Sequence, residues 1–517
     1  MKYIIGIDAG TSNVKAVLFD EEGNEVLVKS KESITYHDSG EESEQDMDMV
    51  WENAKICLKE VVAAGLAKKE DIVGIGVCGQ GEGCWLIDAE GKPLQRAPLW
   101  CDGRAEEIVR KVTKEHPEVG QYYYTTTGCR PLLGNQMVLL RWMKDNRKDI
   151  LDKADKVLFC KDWIRYHLTG KIGAELTDST TSLVDVQTEK ISDELLEKME
   201  LTEYRKLIPD PARSDEIAGS ILDDLADEIG LMRGTPVIYG ALDTSSTAVG
   251  LGTIHEGDVS VILGTTCGCQ IVMKKESCLF GAPDTRYEKH PLGNLYVELQ
   301  PTLNGTPNID WMVSEIADNM SYDEINEIVD SIPVGCGGVV YLPYISVAGE
   351  RSPFYHPYAR AEFFGISNKT TKGHLIRAVY EGLSMSIRDC LLHADRNGVI
   401  RLAGGGAKSP VWAQMIADAM GMKVMISEGK EIGAKGVAMM VGVRTGIYKD
   451  YEEAVQRTCR ISKVYEPDKV RTKQYDLLFE LYKSLRISNT ETWNYRHIMN
   501  KKINDLAEEN EELGNSR

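Results

Sequence analysis

The opening residues fall into two short apolar runs broken by one polar turn. Tyr3, Ile4, Ile5 and Ile7 form the first run, Asp8-Ala9-Gly10-Thr11-Ser12 the break, and Val14 opens the second. β-Branched runs of this length favour strands, and Gly10 supplies the backbone freedom of a tight turn, so the pattern predicts strand, turn, strand. The turn carries a carboxylate, a small residue and two hydroxyls. It is either an ordinary hairpin with polar turn residues, or a turn whose amides and hydroxyls hold a phosphate chain with Asp8 beside Mg²⁺.

Further along, a turn at Glu21–Asn24 leads to a third strand near Glu25–Ser30. A helical pattern runs from about Met47 to Ala64, with Asp46 placed to cap it. A buried-strand pattern at Ile72–Val77 enters Gly79-Gln80-Gly81-Glu82-Gly83, which suits a hairpin turn or a loop where backbone comes close to a ligand. Cys84–Asp88 returns as a strand, and Leu99–Arg104 precedes a helix over Ala105–Thr113. Residues 115–230 read as mostly helical, with periodic segments at Gln136–Asn146, Lys161–Thr169 and Leu195–Met199. Thr235–Tyr239 is another buried strand, and Asp243 follows it at the start of a helix, as a cap or a catalytic group.

The opening pattern then recurs. Asp258–Leu263 reads as a strand, Gly264-Thr265-Thr266 as a turn and Cys267–Met273 as a strand, which predicts a duplicated fold with a ligand between the halves. The second half continues with a helix at Trp311–Ala317, a strand at Gly338–Pro343, a loop at Gly349–Pro353 and a long helix at Lys372–Ala394. Val399–Ala403 is a strand that enters Gly404-Gly405-Gly406-Ala407, before a helix at Val411–Met420. Glycines between a strand and a helix let a ligand pack on bare backbone, although the dinucleotide fingerprint is absent. Glu431–Gly436 opens the last core helix. From about Ser488 the chain is polar and charged, with Met499, Ile503, Leu506 and Leu513 at helical spacing. That is a short amphipathic helix lying on its own domain, or a self-association contact and hence a possible homodimer.

A chain of 517 residues should hold two or more domains. The formal net charge of −20 argues against nucleic acid or an anionic membrane as partner, and means that ATP would need a metal or backbone amides to help it bind. No apolar stretch has the length of a membrane span, and the first residues enter a strand pattern without a leader signature. The twelve cysteines are scattered, mostly in apolar runs, which fits reduced thiols in the cytoplasm. Cys267-Gly268-Cys269 is the one close pair, and no second pair with zinc-ligand spacing accompanies it.

The motifs together resemble the FGGY carbohydrate kinases. They are Asp-x-Gly-Thr-Ser at 8–12, Glu-Gln-Asp at 44–46, Trp-x-Asp-x-Arg at 100–104, Gly-x-x-Asp at 240–243 and Gly-Thr-Thr at 264–266. Gly-Glu-Arg-Ser-Pro at 349–353, Gly-Gly-Gly-Ala-Lys-Ser at 404–409 and Glu-x-Gly-Ala-x-Gly at 431–436 follow. The resemblance implies an α/β fold of two actin-like ATPase (ribonuclease H-like) domains with a central cleft. It implies a sugar-binding N-terminal domain at 1–250, a nucleotide-binding C-terminal domain at 251–486 and a charged helical tail at 487–517. It further implies phosphorylation of a hydroxyl on a small sugar or polyol by MgATP.

Residue by residue, Asp8 resembles the group at the Mg²⁺ and phosphate end, and Thr11 and Ser12 those of the phosphate hairpin. Gly264, Thr265 and Thr266 look like the second phosphate loop, and Gly405, Gly406, Ala407 and Ser409 like the adenosine-side wall. Gln80, Gly81, Glu82 and Asp102 occupy sugar-contacting positions, and Asp243 that of the catalytic base. Glycerol kinases carry Arg-Glu after the Gln of this loop and D-xylulose kinases Met-His. Gly81-Glu82, with Trp85-Leu86 and Phe159–Trp163, looks closer to the erythritol and L-xylulose kinase branch. Thr306 and Asp310 depart from the Gly and Gln of glycerol kinases near the nucleotide. The alternative is another actin-like ATPase, of chaperone or filament type or an iron–sulfur activator suggested by Cys267 and Cys269 alone. A sugar-binding regulator without turnover is argued against by the intact Asp8 and Asp243.

Overall fold

The computed structural model describes residues 1–38 and 40–515, with side chains as far as 507. Its chain forms two compact units. The first comprises Met1–Glu256, Val272–Leu299 and Glu428–Arg460, and the second Gly257–Ile271, Gln300–Ser427 and Ile461–Arg517.

The first sheet contains β1 (Tyr3–Ala9), β2 (Asn13–Asp20), β3 (Glu25–Glu32), β4 (Ile72–Gly79), β5 (Ile217–Ser220), β6 (Pro236–Ile238) and β7 (Ala241–Leu242). Its order is β5-β6-β4-β1-β2-β3, with β7 also paired to β4. The opening hairpin is antiparallel, with Tyr3 opposite Asp20 and Ala9 opposite Val14, and β1 runs parallel to β4. The helix Met47–Ala63 joins β3 towards β4 and begins where Asp46 accepts from the Met49 N–H at 3.0 Å. Its Val50, Ala54, Leu58 and Val61 pack with Ile5, Ile7, Val14 and Leu18.

The other side of the sheet shows Ile4, Val17 and Phe19, and these pack with Val437, Met440 and Val441 of the helix Ile432–Arg444. That helix comes in very close. A Cβ on Gly6 would overlap the Ala434 carbonyl, and one on Gly76 would sit 2.8 Å from the Val437 Cβ. Glycine in these strands is the condition for the contact.

The second sheet contains β8 (Val259–Leu263), β9 (Cys267–Lys274), β10 (Tyr287–Lys289), β11 (Leu295–Thr302), β12 (Val399–Ala403), β13 (Lys423–Ser427) and β14 (Ile461–Tyr465). Its order is β10-β11-β9-β8-β12-β13-β14. β8 pairs antiparallel with β9 and parallel with β12. The opening arrangement, a hairpin whose first strand has a parallel neighbour, therefore occurs twice.

Several boundaries differ from expectation: the helix expected over Lys372–Ala394 ends at Cys390, and Ile217–Ser220, in a stretch expected to be mostly helical, is a strand. The helix expected over 105–113 is Glu106–Arg110, followed by a wider helical turn at Lys111–Glu115. The helix expected from Trp311 starts at Pro307, a residue suited to the first helical turn. The tail belongs to one continuous helix, Lys469–Asn515. Its anchor is aromatic: Trp493 is 3% exposed, stacks parallel to Phe354 at 6.1 Å and meets Tyr344 edge-on. Ile503 and Leu506 are exposed, and the Leu513 side chain lies outside the described residues. No helix among the described residues is long and apolar enough to cross a membrane.

Candidate functional site

In the first unit the candidate residues meet at the carboxyl ends of parallel strands, where open α/β sheets commonly take ligands. Asp8 and Cys78 are register partners across β1 and β4, Ala241 pairs with the same Cys78, and Leu242 pairs with Gly79. This alignment brings Asp8, the Gln80 loop and Asp243 to one edge of the sheet.

Asp8 is half-buried, and burial is the main reason its carboxyl is pushed up to about 6. Lys15 pulls it down and Glu431 pushes it up, while those two pair with each other at 2.7 Å. Asp243 is also half-buried and is raised to about 7, first by burial and then by the charge of Asp8. Its Oδ1 accepts from the Thr244 N–H at 2.6 Å, which favours the charged form. Asp243 is the first residue of the helix Asp243–Leu251, and the cap position belongs to Leu242. A leucine has no oxygen to cap with, so Asp243 is left as a carboxylate at the sheet edge rather than a helix cap.

The Gln80 loop is drawn onto the opening hairpin. Thr11 donates to the Gln80 Oε1 at 3.0 Å, Gln80 donates to Gln45, and Gln45 donates to the Thr11 carbonyl, both at 2.7 Å. Ser12 is exposed. Gly81 has no room for a side chain: a Cβ there would overlap Leu242 and lie 2.8 Å from the Asp178 Oδ1. The Arg of glycerol kinases or the Met of D-xylulose kinases would need both neighbours to move here. Glu82 has a left-handed backbone, φ 61°, and its Oε1 accepts from Asn135 at 2.6 Å. Burial pushes its carboxyl up to about 7.

Asp102 has a different position. It is fully buried, and its oxygens accept from the Ser43 N–H at 2.9 Å and from the backbone N–H, Nε and Nη2 of Arg104 at 3.0, 2.7 and 2.9 Å. These fill the four acceptor directions of a carboxylate, so its place here is to hold Arg104.

Two groups at this edge carry no recognisable motif. Glu288, on β10, is buried and accepts from the Thr244 hydroxyl at 2.7 Å and from Arg286 Nη2 at 2.8 Å. Beneath the Gln80 loop, the fully buried Lys161 lies 2.6 Å from Asp178, 3.2 Å from Asp162 and 3.6 Å from Glu175. Thr177 donates to Glu175 and accepts from the Leu242 N–H at 2.8 Å, so this buried charge cluster fixes the residue before Asp243. Lys161 and Asp162 stand in the Phe159–Trp163 stretch that the sequence singles out.

In the second unit, Gly264-Thr265-Thr266 forms a tight turn in which the Gly264 N–H donates to the Thr266 carbonyl at 3.0 Å, and both threonines are exposed. Gly305 packs on this turn so closely that a Cβ would overlap the Gly264 and Thr265 carbonyls. Gly404, at φ 92°, sits against Leu263 of β8, and Gly405 borders open space. Ala407 is buried. Ser409 caps the helix Pro410–Met420, accepting from Trp412 and donating to Asn326 at 2.8 Å, so its hydroxyl is already engaged. Cys267 and Cys269 lie on one strand face with sulfurs 3.7 Å apart.

Comparison with known proteins identifies the family and the fold. Profiles of the FGGY family of carbohydrate kinases match residues 3–250 as its N-terminal domain and residues 259–444 as its C-terminal domain. The chain is 30% identical over 516 residues to an erythritol kinase of Brucella abortus, covering 95% of this chain and 97% of that protein. It is 29% identical over 503 residues to an L-xylulose/3-keto-L-gulonate kinase of Escherichia coli, covering 94% and 96%. A ligand-bound xylulose kinase from Lactobacillus acidophilus has the same fold, with a TM-score of 0.87 at 22% identity over 96% of this chain and all of that one.

Proposed function

Because the chain belongs to the FGGY family of carbohydrate kinases, we propose that it transfers the terminal phosphoryl group of ATP to one hydroxyl of a small sugar or polyol, a ketopentose such as xylulose or a tetritol such as erythritol. The observation that carries the reading is Asp243, a half-buried carboxylate at the strand ends beside Asp8 and the Gln80 loop. Asp243 is the base: it accepts the proton of the attacking hydroxyl as the new P–O bond forms. Phosphoryl transfer asks mostly for positioning and charge neutralisation, and a carboxylate near neutrality suits a proton acceptor at working pH.

Gln80 and Glu82 hold the acceptor's other hydroxyls, and Asp102 acts through Arg104 as a positioning residue. Thr11, Ser12, Gly264, Thr265 and Thr266 line the phosphates, with Gly405, Gly406 and Ala407 on the nucleoside side and Ser409 shaping the helix start there. The donors at Asp8 suit Mg²⁺ shared with ATP. Asp8 offers a half-buried carboxylate, and no cluster of three or more metal-ligating side chains occurs among the described residues. Mg²⁺ is commonly held by one or two carboxylates together with substrate phosphates, and when bound it neutralises phosphate charge. The free thiols of the chain support a cytoplasmic enzyme.

Asp243→Asn tests the reading. Acceptor binding, measured by calorimetry, is expected to stay within a few-fold, while turnover falls about 10³-fold. Near-native turnover in that variant overturns the assignment of the base.

A further inference from the structure

The acceptor side of the first unit holds two buried polar atoms that make no hydrogen bond of good geometry. One is Oε2 of Glu82, a residue only 7% exposed, and the other is Nε of Arg286. The two side chains lie near enough for each to favour the charged form of the other. Buried polar atoms are almost always paired, so an acceptor and a donor left open in one region mark a place for a partner. A hydroxyl matches both, giving its hydrogen to the carboxylate and taking one from the guanidinium.

Arg286 is not a free anion receptor. Its Nη2 donates to Glu288 at 2.8 Å, and Glu288 in turn holds the hydroxyl of Thr244, the residue after Asp243. A hydrogen-bonded chain thus runs from Arg286 through Glu288 to Thr244, beside the proposed base, and Glu82 lies within the field of its guanidinium. Glu82 and Glu288 both face the Arg286 guanidinium, and Asp243 lies next to Glu288. A carboxylate-bearing acceptor would enter a site that is already net negative, which is the kind of repulsion that sets specificity.

We propose that Arg286 and Glu82 together read one hydroxyl of a neutral polyol or ketose, other than the hydroxyl that Asp243 serves, and that this pocket turns away sugar acids. The proposal rests on the kinase reading above and makes Arg286 a specificity-determining residue.

Calorimetry without ATP tests it on the full chain, with erythritol, D-xylulose, L-xylulose and D-gluconate as probes. At least one neutral probe is expected to bind, with D-gluconate about 100-fold weaker. Arg286→Gln is expected to weaken the best neutral probe about 10- to 100-fold, as loss of a hydrogen bond from a charged donor does, while the KM for ATP holds within about twofold. Arg286→Lys keeps a cation beside Glu288 and guards against a folding defect; it too should weaken the probe. A deoxy analogue lacking the hydroxyl that is read should bind wild type about tenfold less well and lose nothing more in Arg286→Gln. Equal binding of D-gluconate, unchanged affinity in both Arg286 variants, or no binding of any neutral probe would each overturn the proposal. Selective binding without phosphorylation in the presence of MgATP would support the pocket and sink the kinase reading instead.

Discussion

Thr11 and Gln80 are tied directly, the threonine hydroxyl donating to the glutamine Oε1 at 3.0 Å. The same hydroxyl accepts from Trp100 Nε1 at 2.9 Å. A residue of the proposed phosphate hairpin and one of the proposed acceptor loop therefore move as one. Thr11→Val keeps the shape and cuts both bonds. It is expected to raise the KM of ATP and of the acceptor together, each about three- to tenfold, in two-substrate kinetics. A rise in one alone would show that the loops work separately.

The acid limb of activity should lie near neutrality. Asp243 is pushed up to about 7, mainly by burial and next by the charge of Asp8. A base acts deprotonated, so kcat/KM should fall about tenfold per pH unit below that value. Asp8→Asn removes one of the charges that raise Asp243, and the residual activity should show its limb at lower pH. A profile flat from about pH 5 to 8 would contradict this.

Glu82 weakens the fold where it serves the site. Its carboxyl stands at about 7 against an ordinary 4.5, chiefly through burial. The folded protein thus holds this proton more tightly than the unfolded chain does. The stability tied to it is complete below the ordinary value and is lost as pH rises through the folded one. By linkage the loss is about 3 kcal/mol at pH 8. Glu82→Gln should leave urea unfolding at pH 5 nearly unchanged and stabilise the protein at pH 8 by up to that amount. Equal effects at both pH values would argue against a charged, buried Glu82.

The tail helix is held by its aromatic anchor. Trp493→Ala empties the space between Phe354 and Tyr344 and should cost about 3 kcal/mol in unfolding experiments. Ile503→Ala and Leu506→Ala, at exposed positions, should change stability by less than about 0.5 kcal/mol.

Local structure was legible wherever short-range signals decide it. The opening hairpin, the Asp46 cap and the helix Gln136–Asn146 follow from periodicity and capping chemistry, which act over a turn or two. The motifs pointed to Asp8, Gln80, Glu82 and Asp243, which the strand register gathers at one edge. Other features were hidden because they depend on who meets whom across long separations. Arg286 and Glu288 sit in no motif and reach the site only because Val272–Leu299 belongs to the first unit. Asp102 reads as one more open carboxylate until Arg104 and Ser43 are seen to fill it. The Ser409 hydroxyl looks available in a Gly-rich loop, yet it is spent on a helix cap. For the tail, the spacing of Met499, Ile503, Leu506 and Leu513 allows a helix on its own domain or a self-association contact, and it does not reveal that Trp493 has the aromatic partners.

The close seat of Ile432–Arg444 on Gly6 and Gly76 bears on how the protein is made. Ile4, Val17 and Phe19 are translated long before the helix that covers them, which follows most of the second unit. Until then that face of the sheet is open to water and to other nascent chains, the condition in which partly made proteins aggregate. A fragment ending near residue 256 would keep that exposure permanently, however complete its strands, because its cover is encoded so far downstream.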